Sequence, residues 1–119
     1  MNTKAIGTQG EQRALTYLQE QGYKLLARNF SVKGGEIDLI MQDKNTLVFV
    51  EVKTRASLAF GGPLGAITAA KQKRLALAAA LFIKTNRLKF DSIRFDAVAV
   101  LAQEITHVKN AFIPARTLL

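Results

Sequence analysis

The stretch from Gly34 to Arg55, GGEIDLIMQDKNTLVFVEVKTR, constrains this chain more than any other. It reads as two strands joined by a tight turn, yet charges stand where strand side chains should be apolar. Asp38 lies inside Ile37-Asp38-Leu39-Ile40, and Glu51 and Lys53 interrupt the run Leu47 to Lys53. Burying a charge is costly unless it is paired or bound to a metal. Any fold for this chain must give these three charges a purpose.

Side chains alternate across a strand. Leu47, Phe49, Glu51 and Lys53 therefore share one face of the later strand, and Glu36, Asp38 and Ile40 share one face of the earlier. Pairing the polar faces brings Asp38 toward Glu51 and Lys53 and leaves both opposite faces apolar, ready to pack on helices. Two carboxylates in a half-buried setting raise the pKa of one of them or hold a cation together. The chain has no cysteine and a single histidine, His107, which excludes thiolate and multi-histidine metal sites. Oxygen-only ligation suits Mg²⁺ or Mn²⁺, with the backbone carbonyl of Val50 or Val52 as a further ligand. Such an ion polarises a phosphodiester oxygen and lowers the pKa of a bound water. Lys53 is placed to orient that water or to offset charge in the transition state. The plainer alternative is a structural ion triad. The coincidence of an inward acid on each strand with the charge distribution of the chain favours a site.

That distribution is lopsided. Of the net charge of +8, residues 1–53 contribute +1, from seven Lys/Arg and six Asp/Glu; residues 54–119 contribute +7, from ten and three. A strongly basic half points to a polyanionic partner, most simply nucleic acid. Double-stranded or branched DNA fits better than RNA, because few aromatic residues are interleaved for stacking on single strands. No apolar run reaches membrane-spanning length, and MNTKAIGTQGEQ lacks the apolar core of a signal peptide. A soluble, cytoplasmic protein that does not engage a membrane is expected.

At 119 residues one domain, 1–119, is expected. Thr8 to Gln21 reads as a helix, with Thr8-Gln9-Gly10-Glu11 as a capping box and Gly22 as the stop. Tyr23–Phe30, Glu36–Met41 and Thr46–Lys53 read as strands, the last two forming a hairpin through Gln42-Asp43-Lys44-Asn45. A glycine-rich loop, Leu58–Gly65, precedes a second helix over Thr68–Lys84, whose apolar second half LALAAALFI predicts thorough burial. Arg94–Leu101 is a fourth strand, and Ile105–Ile113 a fifth at an edge. The fold class is α/β: order α-β-β-β-α-β with an extra edge strand, a mixed sheet flanked by helices.

Asp38, twelve further residues, then Glu51-Val52-Lys53 resembles the D…ExK signature of the PD-(D/E)xK, or restriction-endonuclease-like, superfamily, although Ile37 stands where the superfamily name has proline. More closely, Gly10-Glu11, Arg28-Asn29, Gly35–Ile40, Val48–Arg55 and Arg94-Phe95-Asp96 resemble the YraN family of small bacterial proteins, over nearly the whole chain. The resemblance implies a restriction-endonuclease-like core and a predicted nuclease related to archaeal Holliday-junction resolvases. Asp38, Glu51 and Lys53 would then be catalytic, with Asp38 and Glu51 on the metal. In the resolvase-like relatives a glutamate on the first helix also reaches the metal, which gives Glu11 a role beyond the third position of a cap. A symmetric junction would suit a two-fold homodimer. The other class of function is a nucleic-acid-binding or adaptor module that keeps the nuclease fold without turnover.

Other charges have less specific readings. Arg55, Lys71, Lys73 and Arg74 are the candidates for phosphate contact. Lys71 and Arg74 share a helix face, and cations at a helix start oppose its dipole, which suggests another use. Glu36 is either a supporting acid or a solvated strand end. Asp96 beside Arg94 is expected to be a structural ion pair, and His107 an edge residue without a catalytic task. Phe60-Gly61-Gly62-Pro63 lacks the lysine of a phosphate-binding loop and would be a flap beside the site.

Overall fold

The hairpin forms as its residues require. In a computed structural model describing residues 3–55, 67–102 and 104–113, β2 (Gly35–Asp43) and β3 (Thr46–Arg55) are antiparallel and joined by Lys44-Asn45. Lys44 carries φ 55°, the left-handed conformation that two-residue hairpins demand. β1 (Lys24–Val32) pairs antiparallel with β2 through the turn Lys33-Gly34, where Gly34 has φ 91°.

The chain then crosses over through α2 (Ala69–Asn86), and β4 (Ser92–Leu101) lies parallel to β3 in unbroken register from Thr46↔Ser92 to Arg55↔Leu101. β5 (Glu104–Val108) closes the edge antiparallel to β4. With α1 (Thr3–Glu20) the order is α-β-β-β-α-β-β around one mixed five-stranded sheet, β1-β2-β3-β4-β5. This is compatible with a restriction-endonuclease-like core. Among the described residues no helix is long and apolar enough to cross a membrane.

Both faces of the sheet are covered. Under α1, Ala14, Leu15 and Leu18 pack on Leu39, Met41, Val48, Val50, Val98 and Val100. Under α2, Leu75, Ala78, Ala79 and Phe82 pack on Ile37, Ile40, Leu47, Phe49 and Phe95. The alternation of β3 divides its apolar side chains between these layers as expected.

Four expectations need correction. α1 begins at Thr3, not Thr8, so Thr8-Gln9-Gly10-Glu11 lies inside a helix and Glu11 is not a capping residue. The second half of α2 is not buried all round: Leu77 and Leu81 are 41% and 36% exposed, because α2 meets the sheet on one side only. β5 ends at Val108 rather than Ile113. Finally, β2 does not alternate regularly. Ile37 and Ile40, three apart, both lie in the α2 layer, as do Ala27 and Phe30 opposite them. The break falls at Asp38 and at Asn29, which has φ 51°. Glu36, Asp38 and Ile40 therefore do not form one face.

Candidate active site

The site lies where the sheet comes apart. β2 pairs with β3 only as far as Leu39↔Val50; beyond that, Gly35–Ile37 pair with β1 alone and Glu51–Arg55 with β4 alone. A strand edge at this point leaves backbone donors to be satisfied. Asp38 meets that need: its Oδ2 accepts the Val52 N–H at 2.8 Å. The carboxylate thus stands in the position of the missing ladder partner, a placement that simple alternation does not predict. The N–H and C=O of one strand residue point the same way, so the Val52 carbonyl faces the same opening.

Glu51 is on the α2 side of β3 and only 5% exposed. Two lysines hold it, Lys53 Nζ at 3.4 Å and Lys71 Nζ at 3.0 Å. Burial, and next the charge of Glu51, pushes the Asp38 carboxyl up to about 7; the Val52 N–H and Lys71 oppose this, and Glu11 adds to it. Glu11, on α1 at the other face of the sheet, is near enough for its charge to bear on Asp38. Burial and the charges of Glu36 and Glu51 hold Glu11 above the usual carboxylate range, against Arg28. Glu36 is exposed and accepts a hydrogen bond from Ser31 Oγ at 3.2 Å.

Two glycines let the helices close on this opening. A Cβ on Gly10 would lie 2.0 Å from Thr54 Oγ1, so α1 touches the end of β3 one residue before Glu11. A Cβ on Gly35 would lie 2.7 Å from the Arg74 carbonyl oxygen, so β2 meets the first turns of α2 near Lys71. Both contacts need a residue without a side chain.

Asp38, Glu51 and Lys53 are thus brought to one place, with Glu11 close enough to act through its charge. Lys71, grouped with Arg74 from the sequence, is turned to Glu51 instead, while Lys73 and Arg74 are exposed on α2. Arg55 ends β3, and its side chain lies outside the described residues, as does the Phe60–Pro63 loop.

The donor set is all oxygen: two carboxylates and the Val52 carbonyl. That fits a hard cation of the Mg²⁺ type, which takes one or two carboxylates and keeps several waters. Among the described residues no group of three or more acids or histidines is arranged to hold a metal, so Glu11 stands beside the pair rather than completing a triad.

A second polar cluster, on the α1 face, was only half legible. Asp96 is fully buried and accepts Arg94 Nε at 2.7 Å, Arg94 Nη2 at 3.0 Å and the Asn110 N–H at 3.0 Å. His107 is no surface residue: its side chain is 5% exposed, with Nε2 2.7 Å from Asp96 and Nδ1 3.3 Å from the Tyr17 hydroxyl. Burial alone would raise the Asp96 carboxyl; hydrogen bonds from His107, Arg94 and Asn110 outweigh it and hold Asp96 below the usual range. β5 pairing places His107 beside Val98, a partnership no local pattern announces.

The uncharacterised protein family UPF0102 matches residues 10–100. A UPF0102 protein of Herminiimonas arsenicoxydans is 50% identical over 106 residues, spanning 89% of this chain and 85% of the relative. One of Caldicellulosiruptor saccharolyticus is 44% identical over 118 residues, spanning 94% and 100%. The matched span contains Glu11, Asp38, Glu51, Lys53 and Lys71.

Proposed function

The chain belongs to the UPF0102, or YraN, family, and we propose that it is a divalent-metal-dependent endonuclease hydrolysing phosphodiesters in DNA, branched or otherwise structured DNA in particular. The observation that carries this is the pair Asp38 and Glu51 in a desolvated break in the sheet, with Lys53 3.4 Å from Glu51.

Asp38 and Glu51, with the Val52 carbonyl, would hold Mg²⁺ or Mn²⁺. When bound, such an ion supplies Lewis-acid polarisation of a phosphate oxygen and of water. Asp38 is fixed by the Val52 N–H, so its free oxygen faces the opening without reorganisation. Lys53 keeps its ammonium beside the scissile phosphate, orienting water and offsetting charge as the water oxygen bonds to phosphorus and the P–O bond to the leaving group breaks. Lys73 and Arg74, and with them Arg55, would contact the phosphate backbone, consistent with the +7 of residues 54–119.

The Lys71–Glu51 contact supports a second reading, a nucleic-acid-binding module with this fold and no turnover, since Glu51 already has cationic partners. One experiment separates them. Purified protein is incubated with Mg²⁺ or Mn²⁺ and linear, flapped and four-way DNA, beside Asp38→Ala. Metal-dependent cleavage lost in the variant supports the nuclease. Binding that weakens steeply with salt, without cleavage, supports the module.

A further inference from the structure

We propose that Lys71 is a resident counter-ion that competes with a divalent cation for Glu51 and, once displaced, joins Arg74, one turn on along the same helix face, in holding a nucleic-acid phosphate. This rests on the reading of Asp38 and Glu51 as metal ligands.

Lys71 Nζ is closer to Glu51 than Lys53 is, 3.0 Å against 3.4 Å. The carboxylate is 5% exposed and the Lys71 side chain 34%, so the ammonium closes the opening from its solvent side. Its backbone is fixed: the Lys71 N–H bonds to Thr68 Oγ1, the N-cap of α2, at 3.1 Å. The Gly35 contact with the Arg74 carbonyl fixes the same turn against β2. Only the flexible four-carbon stem of Lys71 is free to swing. The first turn of α2 contains no acid, so Lys71 has no alternative partner on its own helix. Glu51 is what offsets its unfavourable position near the positive end of the helix dipole.

A second cation on Glu51 repels the first. Metal binding therefore releases Lys71 toward Arg74, its neighbour one turn on along α2, where two cations side by side favour a phosphate. Linkage makes the effect reciprocal: a phosphate that draws Lys71 away leaves Glu51 open to the metal. Metal and nucleic acid would thus load cooperatively, with one side chain as the coupling.

The test uses the full chain without nucleic acid and measures Mn²⁺ affinity by calorimetry for wild type, Lys71→Met, Lys71→Gln and Lys84→Met. Lys84, at the far end of α2, removes the same net charge away from the site. Both Lys71 variants are expected to bind Mn²⁺ about fivefold more tightly, the value of one ion pair of this exposure, and to melt at lower temperature in EDTA. Lys84→Met stays at the wild-type affinity. Equal or weaker binding by the folded Lys71 variants overturns the inference while leaving the metal site intact. A wild type that takes up no Mn²⁺ overturns the metal site and the inference together.

Discussion

Asp38→Asn keeps an acceptor for the Val52 N–H and deletes a charge that the folded state disfavours. The carboxyl rises from 3.8 to about 7 in the fold, through burial first and the charge of Glu51 second. At 1.36 kcal/mol per pH unit, that rise means about 4 kcal/mol of stability lost by ionising Asp38 in place. The folded state holds the extra proton between these two values, so wild-type stability falls as pH rises from about 4 to about 7, and stays low above that. Asparagine escapes the loss but introduces an amide whose N–H groups need partners, at a cost of about 1–2 kcal/mol. At pH 8 the variant should therefore be more stable by about 2 kcal/mol, or roughly 5–10 °C in melting temperature for a chain this size. Below pH 4 it should be equal or slightly less stable. Urea unfolding in EDTA across pH 4–9 reads both curves. A difference that does not change with pH, or a variant less stable at pH 8, would refute the account of Asp38 as a strained, desolvated carboxyl.

Two further substitutions probe the supports of the site. Gly10→Ala should lose about 2 kcal/mol or more in urea unfolding, because its methyl would overlap Thr54 Oγ1; a change within 0.5 kcal/mol would remove close packing as the reason for glycine there. Asp96→Ala strands Arg94, His107 and the Asn110 N–H together and should cost about 3–5 kcal/mol. Because the Asp96 carboxyl sits below its ordinary range, its contribution is complete above the unfolded pKa and lost as pH falls through the folded one. The gap between wild type and variant should therefore narrow in acid, which denaturation at pH 7 and pH 3 measures.

Much of this was readable in local pattern. The 3.6- and 2-residue periodicities place two helices and five strands, and the interrupted apolar runs single out Asp38, Glu51 and Lys53. Pleat parity fails where the chain stops being periodic. Asn29 takes a left-handed conformation and β2 joins β3 only from Leu39 onward, so Asp38 is aimed by a bond to Val52 rather than by alternation. His107 looks like a polar residue on an edge strand until β4 brings Asp96 beneath it.

Composition and local pattern name the groups that are present and those that are out of place: oxygen donors without sulfur or a useful set of imidazoles, and charges within strands. Their common location needed the tertiary structure. Glu11 and Lys71 come from helices on opposite faces of the sheet, drawn in by glycine contacts at Thr54 and Arg74. Periodicity says which way a side chain points within its own element. It carries no information on how closely two elements approach, and that approach decides whether Glu51 meets a lysine, a second carboxylate or a cation.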